Sequence, residues 1–352
     1  MKTLLFIYNN PLDGNYGGSR GTKKAYNALS RKFNVEACFV GKKNNKFLTF
    51  VRNLFFFSGN LIFFDMIRVI NIIKKNNINI IFFDVSIHGR LVKLVKLFFS
   101  NKFVIVNFHN NENKYSYDLY KTSGLLYLPI WLSARYNENL SIKYSDLNIF
   151  ITENDRLSFK NNKAPSIIIP VTLPDNFKNV LFENKDNKIK YILFIGAAFY
   201  ANIQGVKFLI KEIAPYISIN IIIAGAGMEE AFPGGNMPSN IIIKDYIEDL
   251  SELFNNAVAF IAPLFSGSGM KVKLVEAMMY GKKIIGTAFS FCGFNTDNEC
   301  CSICESANEF IKEIKSLDES KLFYIKSREL YERYYSSSMD YYYYSQIDKF
   351  LN

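Results

Sequence analysis

Residues 263–287, PLFSGSGMKVKLVEAMMYGKKIIGT, combine a glycine-punctuated loop, two lysines and a glutamate at a spacing that suits one task. The apolar run ending at Ala262 reads as a buried strand. Pro263 and Gly267-Ser268-Gly269 follow it, and an apolar-faced helix (Met270, Leu274, Val275, Ala277, Met278) opens directly from the loop and stops at Gly281. A helix entered from such a loop presents unpaired N–H groups and partial positive charge, and so attracts anions. Lys271 and Lys273 fall in its first turn, where cations oppose the helix dipole. A bound phosphate removes that conflict by supplying the negative charge. Glu276 lies further along, within reach of a sugar's hydroxyls. The chemistry is that of a nucleoside diphosphate held at a helix N-terminus by the amides of Ser268 and Gly269 and by the two lysines.

The elements that must position this site follow from the hydrophobic pattern. Strand candidates in the first half are Thr3–Tyr8, Val35–Val40, Ile78–Val85, Phe103–Phe108, Leu147–Ile151 and Ser166–Ile169. The second half offers Tyr191–Ile195, Ile219–Ala224, Ile241–Ile243, Val258–Ala262 and Lys283–Gly286. Continuous apolar strands separated by helix-length segments indicate parallel sheets covered on both faces. Two such sets in series predict two doubly wound α/β domains, and 352 residues suit two cores rather than one. The polar, lysine-rich stretch 171–190, with Pro174, marks the join. In such sheets ligands sit at the carboxyl ends of strands, and every motif singled out here lies at one.

Other residues qualify by type and place. Gly17-Gly18-Ser19-Arg20-Gly21 follows the first strand as a glycine-rich loop that lets backbone approach a ligand, with Arg20 as a fork for phosphate. His109 directly follows the strand Phe103–Phe108, whereas His88 reads as an ordinary residue. Gly225-Ala226-Gly227 resembles a dinucleotide fingerprint but lacks the third glycine, which argues against a nicotinamide dehydrogenase. There is no Asp-x-Asp to chelate a diphosphate-bound metal, and no GxxxxGK[ST] phosphate loop. Of the five cysteines, Cys292, Cys300, Cys301 and Cys304 cluster without paired C-x2-C spacing or a nearby histidine, so they read as reduced structural thiols.

Charge is unevenly placed. Of the net +10, nearly all sits between Gly41 and Lys102, which hold eleven Lys/Arg against Asp65 and Asp84. Interleaved aromatic and aliphatic residues there suit an anionic membrane surface. A buried core fringed by solvated lysines explains the same pattern. Nucleic acid is disfavoured because no recognition motif accompanies the charge. No apolar run reaches the ~18–20 residues of a membrane span, and the N-terminus reads as a strand, not a signal peptide. The expected location is cytoplasmic, with peripheral attachment to the inner membrane left open.

GSGMKVKLVEAMMYGKKIIGT resembles the donor-binding loop and helix of family-four retaining glycosyltransferases, which have the GT-B fold. FIGAAFYANIQGVKFLI (194–210), IIIAGAGMEE (221–230) and DYIEDLSELFNNAVAFIAPL (245–264) are similar to the preceding pieces of that family's C-terminal domain, in order. GNYGGSRGTKKAYNAL (14–29) and FHNNENKY (108–115) resemble its N-terminal glycine-rich loop and His-Asn-x-Glu stretch. The resemblance implies two Rossmann-like domains facing a cleft: an acceptor-side domain over 1–172, a linker over 173–188, a nucleotide-sugar domain over 189–330, and a helix over 331–352 returning to the first domain. It implies a retaining, metal-independent transfer of a sugar from a nucleoside diphosphate donor, UDP rather than GDP, to a hydroxyl of a glycan or polyprenyl-linked glycan. The setting implied is bacterial O-antigen or capsule synthesis, and no cofactor is required. Gly17, Gly18, Arg20, Gly196, Gly225, Ser268, Gly269, Met270, Lys271, Lys273 and Glu276 would hold the donor. His109 would line the sugar pocket, and with Lys271 and Glu276 would carry catalysis. The chain departs from the family in two places: Gly196-Ala197-Ala198-Phe199 lacks the usual Arg and Lys, and Ser268 stands where many members have a second Glu. Two alternatives stay open, a non-catalytic nucleotide-sugar-binding subunit and a GT-B nucleotide-sugar epimerase.

Overall fold

The computed structural model describes residues 2–14, 17–41, 46–58, 61–178, 189–234, 237–267 and 269–351. Its contacts divide the chain into two units, 1–170 with 340–352, and 171–339.

The first unit is built on a parallel sheet in the order β2-β1-β3-β4-β5-β6. The strands are β1 (Thr3–Tyr8), β2 (Asn34–Phe39), β3 (Ile80–Phe83), β4 (Phe103–Phe108), β5 (Leu147–Phe150) and β6 (Ser166–Ile168). Helices α1 (Gly17–Ser30), α2 (Lys46–Leu54), α3 (Phe63–Lys75), α4 (Gly89–Phe98), α5 (Glu112–Ser123), α6 (Leu128–Tyr144) and α7 (Glu153–Ser158) connect them. The inner strands are buried on both faces, which is why β3 reads IIFF with no polar alternation. Phe6 and Phe82 stack with centroids 5.3 Å apart across β1 and β3. Each such fully buried side chain contributes about 1.5–3 kcal/mol over its exposed state, so register is fixed by the core.

The second unit repeats the plan with strand order β12-β11-β10-β7-β8-β9, all parallel. Its strands are β7 (Tyr191–Ile195), β8 (Asn220–Ala224), β9 (Ile241–Lys244), β10 (Ala257–Ala262), β11 (Lys283–Gly286) and β12 (Cys301–Ile303). The helices are α8 (Tyr200–Phe208), α9 (Met228–Ala231), α10 (Ser251–Asn256), α11 (Val272–Met279), α12 (Ala307–Lys315) and α13 (Ile325–Leu330). Asp340–Ser345 forms α14, which packs on α1 of the first unit.

Two expectations change here. Gly17, Gly18, Arg20 and Gly21 belong to the first turns of α1, not to a loop. Local glycine content misled, because tertiary packing decides at a helix start. The stretch 331–352 is not one helix: a π-turn, Tyr331–Tyr335, and a 3-10 turn, Ser337–Met339, lie in the second unit, and α14 lies in the first. Edge strand β12 went unread. Of the expected linker, 179–188 lies outside the described residues, while Leu173 pairs with Ser336 within the second unit.

Candidate functional site

Each sheet has one place where the chain reverses its direction of winding, and ligands collect at the carboxyl ends of the strands flanking it. In the second unit this point lies between β7 and β10. β7 exits into Gly196, and β10 into Pro263 and the loop to Lys271. Thr287 and Ser290 pin that exit. The Thr287 hydroxyl donates to the Leu264 carbonyl, and Ser290 Oγ donates to the Ala262 carbonyl at 2.5 Å. Helix α8 lies close because residue 205 is glycine; a Cβ there would stand 2.6 Å from the Pro263 carbonyl oxygen. Ser266 Oγ donates to Gln204 Oε1 at 3.0 Å, tying the loop to α8.

Gly267 and Gly269 both have positive φ, 113° and 69°, which non-glycine residues rarely adopt. Helix α11 begins at Val272, two residues later than expected, with Lys271 as its N-cap. The Lys271 amine donates to the Gly269 carbonyl at 2.9 Å and stands 4.7 Å from the centroid of the Phe289 ring. Lys273 does not stand apart: its Nζ meets Glu276 Oε2 at 2.7 Å, one turn on. The Met270 side chain is buried, its sulfur 3.4 Å from the Val171 amide, so only its backbone could serve a ligand. Gly225 brings β8 against the end of β7, since a Cβ there would fall 1.9 Å from the Gly196 carbonyl oxygen. The structure thus brings Gly196, Gly225, Gly269, Lys271, Lys273 and Glu276 to one end of one sheet. Ser268 lies outside the described residues.

In the first unit the reversal lies between β1 and β3. Here the fold assembles a network invisible in the sequence. Asp84, directly after β3, is fully buried. Its Oδ2 accepts from Thr22 Oγ1 of α1 at 2.5 Å, and its Oδ1 accepts from Asn107 Nδ2 at 3.3 Å and lies 3.0 Å from His109 Nε2. Burial works against a charged His109, but the charge and hydrogen bond of Asp84 outweigh it, and the imidazole pKa is raised above its usual value. Gly21 leaves room for the ring; a Cβ on it would stand 3.1 Å from His109 Cε1. Lys24 donates to the Pro170 carbonyl at 2.8 Å. Its burial lowers the amine to about 8, against the opposing pull of Asp340 and Asp84. Arg20, by contrast, is exposed on α1.

The start of α5, expected to carry Asn110 and Glu112 beside His109, is closed by a buried carboxyl. Glu138 of α6 accepts from the Glu112 and Asn113 amides at 3.1 and 2.8 Å and from Ser86 Oγ at 2.8 Å. Burial pushes Glu138 up to about 8 despite these donors. Asp84, Thr22 and Glu138 were all missed by sequence reading. The only signal was an acidic residue ending an apolar strand, at Asp84.

Two parallel sheets of this kind, each with its ligand-facing reversal, define the GT-B class of fold. Residues 189–319 match the family described as glycosyl transferases group 1. Solved structures resemble the whole chain. A glycosyltransferase from Rickettsia africae is 12% identical, with TM-score 0.67 over 99% of this chain and 98% of that one. Anabaena Alr3699/HepE in complex with UDP and glucose is 11% identical, with TM-score 0.67 over 99% and 100%. The lipopolysaccharide outer core galactosyltransferase WaaB is 13% identical, with TM-score 0.66 over 99% of each. A 44.6 kDa protein of the Klebsiella pneumoniae cps region is 24% identical over 217 residues, 55% of this chain. The chain spans about half the length, 54%, of that curated relative. The likeness to solved structures shows the GT-B fold, and the match to the group 1 glycosyl transferases lies in the second unit.

Proposed function

We propose that the chain transfers a sugar from a nucleoside diphosphate donor, UDP rather than GDP, to a hydroxyl of a glycan or lipid-linked glycan in capsule or O-antigen type synthesis. The observation that carries this reading is the Gly267–Lys271 loop at the β7/β10 reversal, where glycine backbone, a helix N-terminus and Lys271 converge. Such preorganised donors stabilise a departing diphosphate, the main demand of glycosidic cleavage. Glu276 receives the ribose hydroxyls, and Lys273 shifts its charge between Glu276 and phosphate. His109, held by Asp84, lines the sugar. Reaction with retained configuration and without a metal completes the reading. The UDP and glucose bound in the HepE structure and the cps setting of the Klebsiella relative support it. No helix among the described residues is long and apolar enough to cross a membrane. A lipid-linked acceptor would therefore be reached from the membrane surface, with the basic 41–102 segment contributing.

The test is turnover by the purified chain alone, with UDP- and GDP-sugars screened first by thermal shift. A ligand at 100 times its Kd adds about 2.7 kcal/mol and a clear rise in melting temperature. Transfer that persists in EDTA and yields the retained anomer supports the proposal. Sugar isomerisation without transfer would point to an epimerase, and nucleotide binding without turnover to a non-catalytic subunit.

A further inference from the structure

Away from the candidate site, the first unit carries a strip of large apolar side chains turned to water. Leu125 and Leu126 form the 3-10 turn, Leu125–Tyr127, that joins α5 to α6, and are 75% and 74% exposed. Leu132 and Tyr136 continue the strip at i, i+4 on one face of α6. Phe56 packs on Tyr136 with ring centroids 4.8 Å apart, which carries the strip to Phe55 at the exit of α2. Arg90 holds that exit in place, its guanidinium 4.6 Å from the Phe57 ring centroid and donating to the Phe55 carbonyl at 2.6 Å. Single exposed leucines are ordinary, but a connected set marks an interaction surface.

Two further observations select the partner. No Asp or Glu occurs in 46–64 or 119–136, whereas Arg52, Lys121 and Arg135 do. A surface on which Arg52, Lys121 and Arg135 outnumber the half-buried Asp118 suits a sheet of negative charge rather than the evenly mixed charges of a protein rim. Behind the two leucines stands an aromatic collar. Trp131 stacks on Tyr120, planes 5° apart, and donates through Nε1 to Asn113 Oδ1 at 2.9 Å, while the Lys121 amine lies over Tyr117 and Tyr120. An apolar tip, then aromatic rings with polar edges, then cations, follows the polarity profile of a bilayer from hydrocarbon to headgroups.

We propose that the Leu125–Tyr127 turn, flanked by the α2 exit, inserts into the interface of an anionic lipid bilayer. The inference deepens the acceptor side of the function proposed above and rests on it only for the reason a membrane is present. Its test uses the full chain without donor: sedimentation with vesicles of phosphatidylcholine, or of equimolar phosphatidylcholine and phosphatidylglycerol. The expected result is binding to the anionic vesicles, weakened by salt, with a blue shift of emission from Trp131, the single tryptophan. Leu125→Ser with Leu126→Ser should lower partitioning by about tenfold or more and abolish the shift. Arg52→Glu with Arg135→Glu should lower binding to anionic vesicles by about tenfold or more. Thermal melting followed by circular dichroism verifies that each variant is folded. Wild-type chain left in the supernatant with both vesicles, or a leucine variant that partitions like wild type, overturns the inference. Vesicle binding without donor turnover would keep this inference and remove the transferase reading; turnover without vesicle binding would do the reverse.

Discussion

Replacing Asp84 by Asn removes a charge from a fully buried position while keeping its shape. Three donors converge on the carboxylate, from Thr22, Asn107 and His109, and a carboxamide would turn an NH2 toward one of them. Burial is the largest influence on His109 and disfavours its charged form; Asp84 is what reverses the outcome. Without Asp84 the burial remains, so the imidazole pKa should fall below the ordinary 6.5. An opposite charge in contact is worth about 1–3 pKa units, or about 1.4–4 kcal/mol between the two protonation states. The sign for stability follows from the raised folded pKa. His109 contributes stability that is fully present below 6.5 and lost as pH rises through its folded value. Asp84→Asn should reverse that slope, because a folded pKa below 6.5 makes stability rise with pH through that range. Imidazole NMR titration reads the pKa directly, since the chain has only two histidines and the signal missing from His109→Gln identifies His109. Denaturation followed by the fluorescence of Trp131, which lies in the first unit, reads the slope. An unchanged His109 midpoint in Asp84→Asn would refute the argument.

Lys271→Ala should lower kcat/KM by about 10²–10³, the usual loss for one preorganised group on a developing charge; steady-state kinetics at wild-type level would remove Lys271 from the diphosphate. Gly205→Ala should destabilise the second unit by about 1–3 kcal/mol, because its Cβ would meet the Pro263 carbonyl oxygen at 2.6 Å and push α8 off the β10 exit; calorimetry checks it. The Lys282 amine is buried and donates to the Asn255, Ala257 and Leu322 carbonyls, and burial lowers it to about 7. Its stability contribution is therefore complete above the ordinary 10.5 and lost as pH falls through about 7. The urea midpoint by circular dichroism should rise with alkali in wild type and rise less in Lys282→Met.

Strands dominated by apolar residues were legible, because a parallel strand covered on both faces has few polar positions to hide it. Phe103–Phe108, Tyr191–Ile195 and Lys283–Gly286 appear with the expected bounds. The three-residue β12, CSI, carries no such run, and only its pairing with β11 makes it a strand. Gly17–Gly21 misled because the use of Gly21 is tertiary, as the place where the His109 ring lies. The loop and helix after β10 were readable as a unit, since glycine spacing and apolar period are local signals. The pairing of Lys273 with Glu276 was also within reach, as an i, i+3 contact. Asp84 was not, because its partners stand 62, 23 and 25 positions away. Only the sheet order brings them together.

Residues 340–352 lie in the first unit although the whole of 171–339 intervenes. Tyr344 is buried there, Asp340 approaches Lys24, Asp348 pairs with Lys32, and Lys2 donates to the Leu351 carbonyl. During synthesis, therefore, the nascent first unit waits with an incomplete surface while the second emerges from the ribosome and folds. Its native contacts span nearly 350 positions in sequence, from Lys2 to Leu351, and closing so long a loop is slow. A stop codon ahead of residue 340 would thus damage the part of the chain made first, and a nascent chain paused there would be exposed to proteases and chaperones at its N-terminal end.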